Sequence, residues 1–210
     1  MSDVRNVAPV TEADYEAVRA HIAACRAEWE TELDVGLAEL VSHLTPAGHV
    51  VVESLGQGEV AVSGRVKSTD AIVSKMRRYG EPLRVMLDVF GFRVVVPGSE
   101  ELDAVAQRCA ELWETPAAHE LLLRHGALQF DWWRDYRKRN HAGLSAATTT
   151  GYDEAIHLNR RAPFGIVEIQ VLTRELFRRA HCDSGDDSHD QFVARRNALF
   201  PASDRGGTDT

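Results

Sequence analysis

The sequence predicts a single α/β domain. Three patterns carry that expectation: a long helical repeat near the N-terminus, two stretches of strict apolar–polar alternation, and short amphipathic segments between them. With 210 residues and 44% apolar composition, the chain is long enough for one domain with a real core and short for two.

Thr11 and Asp14 form a capping box, after which Val18, Ile22, Cys25, Trp29, Leu33, Leu37, Leu40, Val41 and Leu44 recur every three or four residues. That pattern predicts one long helix, or two broken near Gly36, ending at Thr45-Pro46. Val50–Glu53 reads as a short strand and Gly56-Gln57-Gly58 as a turn. From Val60 to Lys67 apolar and polar residues alternate, the period of a strand. A short helix starts at Ser68–Asp70 and stops at Gly80 and Pro82, and Leu83–Val96 reads as a near-continuous apolar strand. A helix follows at Leu102–Trp113, and another is expected around Glu120–His125 before an Ala- and Thr-rich loop beyond Asn140. Ile156 and His157 belong to a strand, Arg160 to Gly165 reads as a hairpin turn, and Ile166–Leu172 as the return strand. A helix from Thr173 to Cys182, an acidic loop at Asp183–Asp190 and a helix at Gln191–Leu199 complete the reading. The expected organisation is a helical segment over residues 11–46, the domain proper over 50–200, and a polar, disordered tail over 201–210.

Charge and composition narrow the function. A formal charge of −8 and a pI of 5.6 give no general attraction for polyanions, so any basic surface must be local. The opening MSDVRNVAPVTEADYE has no apolar run of signal-peptide length, and no window approaches a membrane span. The cytoplasm is the expected compartment and no membrane partner is expected; an export signal removed beforehand is the alternative. Cys25, Cys109 and Cys182 are too widely spaced for a metal pair or a disulfide framework and read as reduced thiols. Asp183–Asp187 lacks the Gly and Glu of a calcium loop, and the histidines lack zinc-ligand spacing.

Four stretches can carry chemistry. In Gly64-Arg65-Val66-Lys67-Ser68, alternation puts Arg65 and Lys67 on one strand face just before a helix N-terminus, where backbone N–H groups favour an anion. Lys75 and Arg78, one helical turn apart, extend that positive surface. No GxxxxGK motif is present, so this is no P-loop. Asp88, inside an apolar run, is costly to bury unpaired and should meet a metal or an arginine. Arg93 is the nearest arginine, and five residues of regular strand would turn it to the opposite face unless Gly91 supplies a bulge. In Val167-Glu168-Ile169-Gln170-Val171, Glu168 and Gln170 share one face. Gly151-Tyr152-Asp153-Glu154-Ala155-Ile156-His157 is the weakest signal alone.

Taken in order, GRVKS, SKMRR, LDVFGFRVVV, GY…IHL and VEIQVLT resemble the synthetase domain of the RelA/SpoT alarmone enzymes over roughly residues 50–181, in the manner of its small stand-alone members. The resemblance implies a mixed β-sheet flanked by helices, of nucleotidyltransferase type. It also implies transfer of the β,γ-diphosphate of ATP, with Mg²⁺, to the 3'-hydroxyl of a guanine nucleotide, releasing AMP and giving (p)ppGpp. On that resemblance Arg65 and Arg93 sandwich the ATP adenine, and Lys67, Lys75 and Arg78 hold its phosphates. Asp88 and Glu168 are the metal carboxylates, Glu168 also serving the acceptor hydroxyl. Tyr152 stacks on the acceptor base, His157 lies beside the acceptor's phosphates or ribose, and Gln170 follows as in the family.

The departures fall mainly on the acceptor side. Ala71 stands where the family has a Ser, with Ser68 or Thr69 as substitutes; Asp135-Tyr136 is far from Gly151-Tyr152; and one residue is inserted between Tyr152 and His157. Adenine nucleotides, giving (p)ppApp, are therefore a second acceptor class. Pyrophosphorylation of the tRNA 3' end, through a local patch of Arg134, Arg137, Lys138 and Arg139, is a different enzymatic reading, and an inactive nucleotide-binding module is the non-enzymatic one. Family members often assemble into oligomers, so a homo-oligomer is implied without an interface to point to.

Overall fold

The computed structural model describes residues 11–47, 50–52, 59–79, 89–116, 132–138 and 155–181. Asp88, Tyr152, the turn at Gly56–Gly58, the helix expected at Glu120–His125, the loop after Asn140, and the acidic loop, last helix and tail from Asp183 onward lie outside the described residues. So does the side chain of Arg78.

Strands β1 (Val50–Val52), β2 (Val60–Val66), β3 (Phe90–Val96), β4 (Trp133–Asp135), β5 (Ile156–Ala162) and β6 (Gly165–Thr173) form one six-stranded sheet in the order β1-β2-β3-β6-β5-β4. β1 runs parallel to β2 and β3 parallel to β6, while the other neighbouring pairs are antiparallel, so the sheet is mixed as expected. The helices are α1 (Glu12–Leu44), α2 (Thr69–Tyr79), α3 (Ser99–Leu112) and α4 (Arg174–His181).

Alternation gives the sheet two unlike faces. On one, Val62, Phe92, Val94, Val167, Ile169, Val171, Ile156 and Leu158 are buried and share a core with α1 (Ile22, Leu33, Leu40, Leu44), α2 (Ile72, Val73, Met76) and α3 (Leu102, Val105, Ala106, Cys109). The other face is polar at its centre. Toward one end it is covered by α4, whose Leu176 packs on Ala61, Val95, Ala155 and Leu172, with Phe177 alongside. Apolar residues on one side and a polar row on the other are what place a cleft on this sheet.

Of the two readings of the N-terminal segment, one long helix holds, and other expectations need correction. α1 runs unbroken through Gly36, whose hydrogen side chain admits the ring of Phe164: a Cβ there would stand 2.7 Å from Phe164 Cζ and 3.0 Å from Phe92 Cζ. Gly36 marks a close approach rather than a break. The hairpin turn is confined to Pro163-Phe164 before Gly165 at φ 134°, and Arg160 and Arg161 belong to β5. Arg160 can sit in a strand, only 4% exposed, because its guanidinium donates to Thr115 Oγ1 at 2.8 Å and to the carbonyl of Trp113, and lies over the Trp132 ring. The strand read from Leu83 to Val96 is described only as Phe90–Val96, and it pairs residue for residue with β2 and β6 without a bulge at Gly91. The Thr11–Asp14 capping box is present, with Thr11 N–H donating to Asp14 Oδ2 at 2.7 Å and Asp14 N–H to Thr11 Oγ1 at 3.3 Å.

Candidate functional site

Strand register assembles the polar face in rows. Ser63 pairs with Arg93, Arg93 with Gln170, Gln170 with His157, and His157 with Arg134, one row across β2, β3, β6, β5 and β4. Two residues along, Arg65 pairs with Gly91, Gly91 with Glu168, and Glu168 with Asn159. Cross-strand partners share a face, so residues spread over more than a hundred positions become neighbours. A cleft opens along these rows, lined chiefly by Ser63, Arg65, Gly91, Arg93, Glu168 and Gln170.

At the β2–β3 end, Arg65 and Arg93 are diagonal neighbours. Diagonal positions are roughly 7–8 Å apart, about the separation that two planes in van der Waals contact with an aromatic ring between them require. Arg93 also lies over the Phe177 ring, its Cζ 5.4 Å from the centroid. Lys67 continues the β2 ladder, its N–H donating to Val89 O at 2.8 Å, which keeps it on the Arg65 face. Ser68 then caps α2, its Oγ accepting from Ala71 N–H at 3.3 Å. Lys75 lies further along α2. Cations and the positive end of a helix dipole therefore meet at one edge of the cleft.

Among the described residues that line the cleft, Glu168 is the single carboxylate. Its side chain is 16% exposed. Oε1 accepts from Arg134 Nη2 at 3.0 Å and pairs with His157 Nδ1 at 3.2 Å, while Oε2 accepts from Gln170 Nε2 at 3.1 Å. Burial alone would raise this carboxyl, but the charge and hydrogen bond of His157, the charge of Arg134 and the Gln170 hydrogen bond outweigh it and hold the group well below the usual carboxylate range. Carboxylate oxygens offer about two acceptor sites each. Oε1 is therefore filled, and Oε2 has room for one more donor. His157 is itself held edge-on to Tyr136, ring centroids 4.8 Å apart.

Of the residues singled out from sequence, Arg65, Arg93, Glu168 and Gln170 line this cleft, His157 contacts Glu168, Lys67 and Ser68 follow Arg65 at the end of β2, and Lys75 stands on α2, whose Ile72, Val73 and Met76 pack into the core on the sheet's other face. Of the local patch expected at Arg134, Arg137, Lys138 and Arg139, the Lys138 side chain and Arg139 lie outside the described residues, and the other two arginines are each paired with carboxylates. Arg134 is spent on Glu168, and Arg137 on Asp103 and Asp135, which hold its guanidinium above its usual pKa. The backbone ladder of β4 turns Arg134 inward. Sequence reasoning also passed over Arg26 of α1, whose Nη1 donates to Lys67 O at 3.0 Å; a contact to a backbone carbonyl leaves no motif. Asn159 was missed too, although it stands two residues after His157 in a strand and so shares its face.

No protein-family model matches the sequence, and no curated protein is significantly similar to it. Solved structures are similar at low identity. The small alarmone synthetase 1 of Bacillus subtilis bound to its product pppGpp is 20% identical, covering 84% of this chain and 92% of that one, with a TM-score of 0.45. The Type VI effector Tas1, in complex with its immunity protein, is 18% identical over 88% of this chain and 77% of its own, with a TM-score of 0.42. A GTP pyrophosphokinase family protein from Streptococcus pneumoniae is 20% identical over 81% and 87%, with a TM-score of 0.37.

Proposed function

We propose that the chain is an ATP-dependent nucleotide 3'-pyrophosphokinase, moving the β,γ-diphosphate of ATP to the 3'-hydroxyl of a purine nucleotide and releasing AMP. One observation carries the reading: a buried cleft carboxylate, Glu168, stands across a side-chain-free Gly91 from Arg65, with Arg93 in the adjoining row. An ATP molecule stacked between Arg65 and Arg93 would extend its phosphates toward Lys67, the α2 N-terminus and Lys75, where opposite charge is concentrated. In the transfer, the acceptor 3'-oxygen forms a bond to the β-phosphorus while the bond from that phosphorus to the α,β-bridging oxygen breaks, and AMP departs. The hydroxyl proton passes to Glu168, whose Oε2 has the free acceptor site.

A magnesium ion fits the donor set in part. Mg²⁺ is usually held by one or two carboxylates plus substrate phosphates; Glu168 is a hard oxygen ligand, but its one open site, on Oε2, is the one the acceptor hydroxyl also needs. Asp88, the second ligand implied by the resemblance, lies outside the described residues. When bound, the ion would neutralise charge on the transferred diphosphate.

The test is incubation with γ-³²P-ATP, Mg²⁺ and, in turn, GDP, GTP, AMP, ADP, ATP and bulk tRNA. Label is expected in a purine nucleotide. Label in tRNA alone would sink the free-nucleotide reading, and label in none would leave a binding module. Glu168→Gln should lower transfer at least ~10²-fold while ATP still binds; full activity would show that the base lies elsewhere.

A further inference from the structure

Asn159 is 1% exposed, and its side-chain Nδ2 has no hydrogen-bond partner among the described residues. Its Cα is the register partner of Glu168, and its backbone N–H is already spent on Trp132 O at 2.8 Å. An unmet buried amide donor is destabilising, so its persistence within the sheet calls for an acceptor. Leu158, the next residue back, points into the core and is buried without such a cost.

Position says which acceptor. Arg65, Gly91, Glu168 and Asn159 follow one another across four strands, with the cationic end on one side of Glu168 and Asn159 on the other. If the proton-accepting oxygen of Glu168 faces a 3'-hydroxyl, a donor on the far side, roughly 5 Å away between Cβ atoms, faces the vicinal position of the same ribose. We propose that Asn159 donates its amide hydrogen to the 2'-hydroxyl oxygen of the acceptor nucleotide and selects ribo- over 2'-deoxyribonucleotides. This rests on the pyrophosphokinase reading for the placement of the acceptor sugar. It adds a residue and a sugar specificity that the reading does not contain.

The test is calorimetric binding of GDP, ADP and their 2'-deoxy forms to the full chain and to Asn159→Leu and Asn159→Ser, with Mg²⁺ and a non-hydrolysable ATP analogue present and melting temperatures measured alongside. The unaltered protein should prefer the ribose form about tenfold, the worth of one hydrogen bond. Asn159→Leu should lose that preference by weakening the ribose form only, while ATP-analogue affinity holds and the melting temperature stays or rises because an unmet donor is gone. Asn159→Ser, which keeps a short donor, should retain part of the preference and gives the readout should the leucine variant fail to fold. An unchanged ribose-to-deoxyribose ratio in the variants overturns the proposal, and a lowered melting temperature with that ratio unchanged assigns Asn159 to a buried water instead. Failure of any purine nucleotide to bind overturns this proposal and the pyrophosphokinase reading together. Selective binding without transfer overturns that reading alone.

Discussion

Gly91 lies between Arg65 and Glu168, and nothing crowds it: the atoms nearest a Cβ there would be Glu168 O at 3.9 Å and Arg65 Cγ and Nε at 4.0 Å. Those are ordinary contacts, so the glycine keeps the cleft clear rather than relieving a backbone clash. Gly91→Ala should therefore fold and bind ATP nearly normally. Gly91→Leu should fill the cleft and abolish the rise in melting temperature that saturating ATP gives, about 2.7 kcal/mol of stabilisation at a hundred times Kd, with every charged group still in place. A full ATP response in the leucine variant would put the nucleotide elsewhere.

Cys109, at 0% exposure in α3, makes a separate prediction about pH. Burial pushes its thiol from 9.0 up to about 12. The folded protein thus keeps a proton that the unfolded chain gives up above pH 9, so this contribution to stability is whole below pH 9 and falls as pH climbs toward 12. In urea unfolding, the stability difference between the protein and Cys109→Ala should shrink by roughly 1 kcal/mol from pH 9 to pH 10. A constant difference would refute it. The sequence displayed the residues of the cleft unevenly, for a physical reason. Arg65, Lys67, Glu168 and Gln170 sit in regular alternation, which reports a face; Arg134 and Asn159 acquire meaning only from the register between strands, which no single segment encodes.

At the scale of elements, α1 and the β5–β6 hairpin are fitted to each other through Gly36. An alanine in a helix interior is worth about 1 kcal/mol over glycine, yet its methyl would intrude on Phe164 and Phe92 at 2.7–3.0 Å. Overpacking costs about 1–3 kcal/mol, so Gly36→Ala should lower stability or leave it level. With Phe164→Ala present the same change should raise stability by about 0.5–1 kcal/mol. A double-mutant cycle in urea with no coupling would mean the ring is not pressed on the helix. The helix itself was legible because Ile22, Leu33, Leu40 and Leu44 keep its period. What was not legible was the meaning of its glycine, since a break and a close approach look alike in one dimension. The hairpin boundary was misread for a related reason: two consecutive arginines resemble a turn until Trp113 O and Thr115 are seen to receive one of them.

Across the whole molecule, α1 belongs to the same core as the sheet. Leu33 and Leu40 are buried with Phe92, Val62 and Ile169, and polar contacts reinforce the join: Arg26 holds the Lys67 carbonyl, Arg19 reaches Asp70 at 2.8 Å, Arg77 pairs with Glu12, and Trp113 Nε1 donates to Glu39 at 3.0 Å. Exposed ion pairs contribute little each, so the buried leucines set the strength of the union. The 11–46 segment and the 50–200 segment should consequently unfold as one cooperative unit. Trp29, in α1, reports one side in a variant with Trp113, Trp132 and Trp133 changed to Phe; Trp133 alone reports the far edge of the sheet. Both fluorescence transitions in urea should share a midpoint with the far-ultraviolet circular dichroism. Leu40→Ala, which removes a fully buried side chain, should lower stability by about 2–5 kcal/mol and move all three midpoints together. Early loss of the Trp29 signal, with the sheet signal unmoved by Leu40→Ala, would make α1 an appendage. The Arg26–Lys67 contact could then no longer tie the cleft to the core.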